Sequence, residues 1–319
     1  MKKGTKIWLV TAFSLVLVGC IIFGGVMAML KWDFSKLTTE TLEKKEYRIS
    51  EAYRNISVVT NAADVEFLLS EKDETTVSCY EKQGNTHSVS VKDGTLEIKV
   101  EDTRKWYDHI RLQFEMPKIT VYLPQGEYGD LSIKATAGDL EMPKGPVFQS
   151  VNLELDAGDV DFGASVSNEV KIKATTGDIS VKNTSAGSLD FAVTSGDVTV
   201  SDVRCEDATI RVTTGDTHLS GITCKSVVSV GNTGEILLDH VVAEEKLSIK
   251  RKTGDVKLVS SDAGEIYVET NTGDVSGSLL SEKVFIAKTN TGSVDVPKTS
   301  VGGRCEIVTT TGDIKLSIQ

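Results

Sequence analysis

Apolar and polar residues alternate in short bursts through most of this chain, and each burst is tied to a glycine. Two and four residues after the glycine stand pairs such as Leu140 and Met142, Val160 and Phe162, Ile179 and Val181, Val198 and Val200, and Ile314 and Leu316. Seven and five residues before it the alternation returns, as Val170 and Ile172, Leu189 and Phe191, Leu247 and Ile249, and Ile266 and Val268. A period of two puts alternate side chains on one face, so each burst predicts a short strand with one buried face. The glycines are Gly138, Gly158, Gly177, Gly196, Gly215, Gly234, Gly254, Gly273, Gly292 and Gly312, at intervals of 19 or 20 residues.

Such an interval holds two strands of about five residues each and leaves no room for a helix. A unit this small cannot bury its own apolar face and must stack on its neighbours. The pattern therefore predicts an all-β fold, a single-stranded parallel β-solenoid (β-helix) of about ten rungs, right-handed by the chirality of parallel crossovers. Each rung is expected to hold two strands meeting at the glycine corner and a second, looser corner. At about 4.8 Å per rung the rod would be on the order of 48 Å long. Glycine suits a corner that turns at positive φ or passes close to the next rung.

A degenerate copy lies upstream, with Ala63 in the glycine place, Ile56 and Val58 before it, and Asp64, Val65 and Phe67 after it. The pattern then breaks for about sixty residues. Strand-like runs inside the break are 75–80, 88–91 and 96–100, with Asp93-Gly94 as a hairpin signal between the last two. Residues 47–130 are read as a first rung plus a β-rich insertion or cap, and 131–319 as the regular solenoid repeats. The regular rungs run up to Gln319, so the C-terminal rung is expected to present a free edge, through which a homodimer would form.

Residues 7–30 are almost uninterruptedly apolar and long enough to span a bilayer. Lys2, Lys3 and Lys6 precede them, and the first acid is Asp33, which by the positive-inside rule places a cytoplasmic stub at 1–6 and the rod outside. The expected organisation is a single-pass anchor at the cell membrane, then a polar linker at 31–46 and an extracellular C-terminal domain. Two alternatives remain open: cleavage near Gly25 to Ala28, and lipidation of Cys20 in Leu17-Val18-Gly19-Cys20, which resembles a bacterial lipobox. Beyond residue 30 the chain carries 32 basic and 46 acidic residues, a net of −14, which speaks against nucleic acid and against unaided binding to anionic surfaces.

Cysteine is sparse. Cys205 and Cys224 are 19 residues apart, at one corner position of consecutive rungs, close enough to form a disulfide. Cys305 falls on a core strand position and reads as a buried thiol. The residue after each glycine forms a column of acids: Asp139, Asp159, Asp178, Asp197, Asp216, Glu235, Asp255, Asp274, then Ser293, then Asp313. Two such charges one rung apart repel by about 0.9 kcal/mol even in water-like dielectric. Hydrogen bonds from turn N–H groups would offset this. A ladder of Ca²⁺ on Asp139, Asp159, Asp178, Asp197, Asp216, Glu235, Asp255 and Asp274 is the alternative, because Ca²⁺ takes oxygen ligands.

Nothing points to catalysis. His87, His109, His218 and His240 show no ligand spacing, and no nucleophile elbow, phosphate loop or C-x-x-C is present. The irregular aromatic patch Trp106-Tyr107-Asp108-His109 is read as a cap over the core, with a small ligand site as the alternative. The T-[ST]-G-D-[VI]-x-[VIL] rungs, with Val121-Tyr122-Leu123-Pro124 upstream and an N-terminal anchor, resemble the DUF4097 β-strand-repeat family, bacterial proteins often labelled as adhesins. The resemblance covers roughly 50–319 and implies a bacterial cell-envelope protein with a β-solenoid ectodomain and no assigned catalytic residues. Some relatives are linked to envelope-stress responses. The expected function is a non-catalytic, adhesin-like interaction protein that meets a cell-surface or envelope component. An envelope-stress sensor or regulatory scaffold working through a membrane protein partner is the alternative, since the short stub could not signal alone.

Overall fold

The computed structural model describes residues 3–32, 42–81, 84–102 and 117–319. Trp106 to His109 lie outside the described residues. A helix at Lys3–Met29 opens the chain, and its segment Trp8–Met29 is long and apolar enough to cross a membrane, with mean hydropathy 2.5. The rest is a parallel β-solenoid.

Each turn enters on a strand such as Ser188–Ser195, passes a glycine, and leaves on a shorter one such as Val198–Ser201. Like strands stack in register from turn to turn, Leu189 on Ala208 and Val198 on Thr217, so two parallel sheets run the length of the rod. Inward residues of both sheets form one continuous core, from Ile56 and Phe67 through Phe162 and Phe191 to Ile307 and Ile314. The looser corner is more ordered than its sequence suggests. It carries a short third ladder, in which Val147 and Phe148 pair with Ser165 and Val166, and Ser185, Arg204 and Thr223 follow as single bridges. Just before it the chain turns through left-handed backbone at Asn183, Asp202, Gly221, His240 and Ser260, with φ between 46° and 60°. None of these is β-branched, as that conformation requires.

The stacking order departs from the chain order at both ends. At the start, strand Thr95–Asp102 and strand Lys118–Leu123 form the outer turn. The turn made by Asn55–Ala62 and Asp64–Leu69 lies beneath them, and Glu127–Ala137 stacks on its other side. Beyond this outer turn, antiparallel strands finish the stack: Thr75–Glu81 and Glu43–Ile49 on one sheet, Asn85–Lys92 on the other. Asp93 and Gly94, with φ of 48° and 72°, make the tight hairpin between Asn85–Lys92 and Thr95–Asp102.

At the other end, Gly303–Thr311 is inserted between Val256–Thr272 and Lys283–Thr291. Ile314–Ile318 likewise pairs with Val275–Leu279 on one side and Val294–Asp295 on the other. The expectation that the rung ending at Gln319 presents the free edge is therefore corrected. Its longer strand is paired on both sides, and the outermost turn is 283–295. All these pairings are parallel, so the winding sense is kept while the axial step reverses.

Candidate functional site

The glycine corner is the most constrained place in the rod. Gly196 has φ of 142°, and a Cβ there would lie 2.0 Å from the carbonyl oxygen of Gly177 on the turn below. Both expected reasons for glycine thus operate at one position.

The acidic residue next to it is tied to the following turn. Asp139 Oδ1 accepts the backbone N–H of Asp159 at 2.9 Å, Asp159 that of Asp178 at 2.8 Å, and Asp178 that of Asp197 at 2.8 Å. Asp197 caps Asp216 and Asp216 caps Glu235, both at 2.7 Å. Asp64 begins the series by capping Asp139. At the far end the series follows spatial order: Asp255 caps Asp274, Asp274 caps Asp313, and Asp313 caps Ser293. Ser293 also donates its hydroxyl to Asp313, and these two bonds hold the Asp313 carboxyl below the usual range. Glu235, one methylene longer, makes no such bond to Asp255 among the described contacts.

Apart from Glu235, these carboxylates each have an oxygen engaged along the axis, which makes the column a relay of capped turns. Asp178→Ala is expected to lower stability by about 1–2 kcal/mol, and Asp178→Asn, which keeps an acceptor oxygen, by less. Glu235→Asp is expected to add the missing cap and raise stability by about 1 kcal/mol. Chemical denaturation of the three variants checks both statements. Millimolar Ca²⁺ is expected to leave the melting temperature of the parent unmoved, and a clear rise that Asp178→Ala abolishes would establish the metal reading.

Cys205 and Cys224 face inward on the third ladder, on adjacent turns, and both are free thiols. They share a hydrogen bond, so the neighbouring S–H lowers the pKa of Cys224, while losing the second proton beside that sulfur pushes Cys205 far up. Oxidation would close a loop of about twenty residues and is expected to add about 3 kcal/mol in the chain-entropy model. Thiol titration of the unfolded chain before and after mild oxidation, paired with a denaturation curve, checks this. Cys305 is fully buried among core residues.

The long faces carry charges of both signs, some of them paired across turns. Lys134 meets Glu154 at 3.0 Å, Arg211 meets Asp190 at 2.5 Å, and Lys250 meets Glu269 at 3.1 Å, each pair bridging neighbouring turns. Such exposed pairs contribute little stability individually, and acids outnumber bases along the rod. Exposed large apolar side chains also stand elsewhere on the rod, as Leu69, Tyr80 and Tyr122 toward its N-terminal end and Val230 and Val242 along it, but the largest group is at the C-terminal end. Val284 and Ile286 on the outermost strand are 37% and 46% exposed, and Val294, Leu280 and Val301, in the same stretch of sequence, are 45%, 45% and 56% exposed. Beside them Val296, Pro297, Lys315 and Leu316 help line a groove of about 620 Å³, where strand Val294–Asp295 stops short of its neighbour. This end surface is the strongest candidate contact site. Sequence reasoning expected a free edge at this end but put it on the wrong turn, because reordering of the turns cannot be read from repeat spacing.

A second group was missed. Cys79, Glu81 and His87 are buried together at the N-terminal end. Burial pushes the Cys79 thiol up to about 12, with Glu81 adding to it, and burial also lowers the His87 pKa. The available signal was Cys79-x-Glu81, two ligand-type residues on one face of a strand.

These features define a parallel β-solenoid with both ends reordered. The chain belongs to the DUF4097 (Toastrack) family, whose model matches residues 53–279 and 220–319. Among solved structures it is similar to a "putative adhesin" from Bacteroides fragilis NCTC 9343, at 16% identity, covering 86% of this chain and 97% of that one, with a TM-score of 0.43. It is similar also to a "putative lipid binding protein" from Parabacteroides distasonis ATCC 8503, at 18% identity, 74% and 94% coverage and a TM-score of 0.46. A "putative adhesin" from the same organism matches at 13% identity, with 86% and 97% coverage and a TM-score of 0.46. No curated protein matches the chain.

Proposed function

We propose that this chain is a non-catalytic, adhesin-like interaction protein of the bacterial cell envelope, held in the cell membrane by its N-terminal helix with the rod outside. The apolar helix and the lysines ahead of it support the anchor and its orientation. The observation that carries the reading is the contrast between the two kinds of surface. The rod's sides carry charges of both signs with acids in excess, while the end remote from the helix-bearing terminus exposes Val284, Ile286 and Val294 beside an unpaired strand edge. Clustered exposed apolar side chains and free strand edges are the features that contact other molecules.

The test uses the full chain reconstituted in liposomes with its rod outward, presented in parallel to the producer's own isolated envelope and to host matrix. Saturable binding to foreign surfaces supports adhesion. Binding confined to the producer's envelope moves the protein to the sensor or scaffold class. Binding to neither, with a monomer–dimer equilibrium that Ile286→Lys abolishes, assigns the end turn to self-association.

A further inference from the structure

Cys79 and Glu81 stand two residues apart on strand Thr75–Glu81, so both point into the core at the N-terminal end of the rod. His87 comes from strand Asn85–Lys92 in the opposite sheet. The three residues are 0%, 1% and 3% exposed. Their sulfur, carboxylate oxygen and ring nitrogen lie within 4.8 Å of one another.

The remaining atoms of the group are already held in place. Glu81 Oε1 is 2.6 Å from Lys45 Nζ, and Glu81 Oε2 accepts the backbone N–H of His87 at 2.6 Å. His87 Nε2 is 3.1 Å from Thr60 Oγ1. His87 Nδ1 is fully buried without a hydrogen bond, although it lies 3.4 Å from Glu81 Oε2. A buried ring nitrogen left without a partner is costly and calls for an explanation. With Nε2–H donating to Thr60, the Nδ1 lone pair faces a carboxylate lone pair and a thiol sulfur. That is the arrangement of a metal-ligating histidine, whose second nitrogen is oriented by a hydrogen bond from behind.

The geometry points to a transition-metal site of the Zn²⁺ class, with Cys79 Sγ, Glu81 Oε2 and His87 Nδ1 as ligands. A thiolate, an imidazole and a carboxylate suit Zn²⁺, and three protein ligands leave the fourth tetrahedral position to water. Ligand atoms around such an ion lie about 3.3–3.6 Å apart, so the side chains close by about 1 Å on binding. On binding, Cys79 gives up its proton to solvent, and the thiolate and carboxylate together balance the ion's two charges. Lys45 remains paired with the outer oxygen of Glu81. The ion ties together two strands from opposite sheets where the stack of turns ends and the apolar core runs out.

The test is titration of the full chain, purified metal-free in detergent micelles, with Zn²⁺ and with Co²⁺ as its spectroscopic stand-in. One equivalent of Co²⁺ is expected to bring up thiolate-to-cobalt charge-transfer absorption, Zn²⁺ to bleach it, and Zn²⁺ to raise the melting temperature. Cys79→Ser and His87→Gln are expected to lose the absorption, while the double variant Cys205→Ser/Cys224→Ser keeps it. His87→Gln retains a side chain able to reach Thr60, so its circular dichroism is expected to match the parent even if Cys79→Ser misfolds. Absorption that follows Cys205 and Cys224, absorption that survives in folded His87→Gln, or no stoichiometric binding would overturn the assignment.

Discussion

Gly196→Ala is expected to destabilise the rod by about 3–5 kcal/mol, because two penalties fall on one atom. The backbone there has φ of 142°, and a Cβ would sit 2.0 Å from the Gly177 carbonyl oxygen and 2.6 Å from its carbon. Left-handed or otherwise sparsely populated backbone costs a side-chain-bearing residue about 1–3 kcal/mol, and forcing an atom into packed structure costs about as much again. The obstacle is backbone that is itself hydrogen-bonded, as Gly177 N–H is to Ser195 O at 3.0 Å, so it cannot swing aside. Gly94→Ala is the control. It too has positive φ, at 72°, but nothing lies within 4 Å of its Cβ position, and only about 1–2 kcal/mol is expected. Denaturant midpoints of the two variants check the difference, and equal losses would show that backbone conformation alone explains the glycine column.

Asp262→Asn is expected to cost about 3–5 kcal/mol, the usual penalty for stripping the partner from a buried charge. Lys283 begins the outermost turn and is 4% exposed, with its ammonium 2.6 Å from Asp262 Oδ1 and 2.7 Å from Ser281 Oγ. Its backbone carbonyl also accepts a hydrogen bond from Thr299. The ion pair therefore pins the out-of-order turn 283–295 to the turns beneath it. Removing both charges, as Asp262→Asn/Lys283→Met, is expected to restore much of the loss, since no uncompensated charge then remains inside. Hydrogen exchange in Asp262→Asn should quicken first at 283–295 and leave turns such as 188–201 protected. Uniform loss along the rod would mean that the pair serves global stability and does not fasten the end.

The regular part of the fold was legible because one period governs it. Val198, Val200 and their counterparts recur at fixed offsets from glycine, and parallel stacking at constant interval follows from that alone. The stacking order at the ends was not legible. Phe285 and Cys305 fit the inward position equally well, and nothing in their spacing says which turn lies outside. That choice is made by long-range contacts, the Lys283–Asp262 pair among them. The acid column was visible as a pattern, yet the role of each oxygen depended on which N–H lay above it. The left-handed corner at Asn183, Asp202, Gly221, His240 and Ser260 was hidden because five residue types share it. The group of Cys79, Glu81 and His87 was obscured for another reason: its members come from antiparallel strands outside the repeat, brought together by a connection between the sheets.

The most direct test of the account is a comparison of surface binding by the parent chain and by Val284→Lys/Ile286→Lys, both reconstituted in liposomes. Both substituted side chains already face outward on the outermost strand, so the melting temperature is expected to be unchanged. The account predicts that the double variant loses at least about tenfold in affinity, roughly 1.4 kcal/mol, for whichever surface the parent binds. Undiminished binding by a folded double variant would contradict it, and would move the contact from the end of the rod to its charged sides.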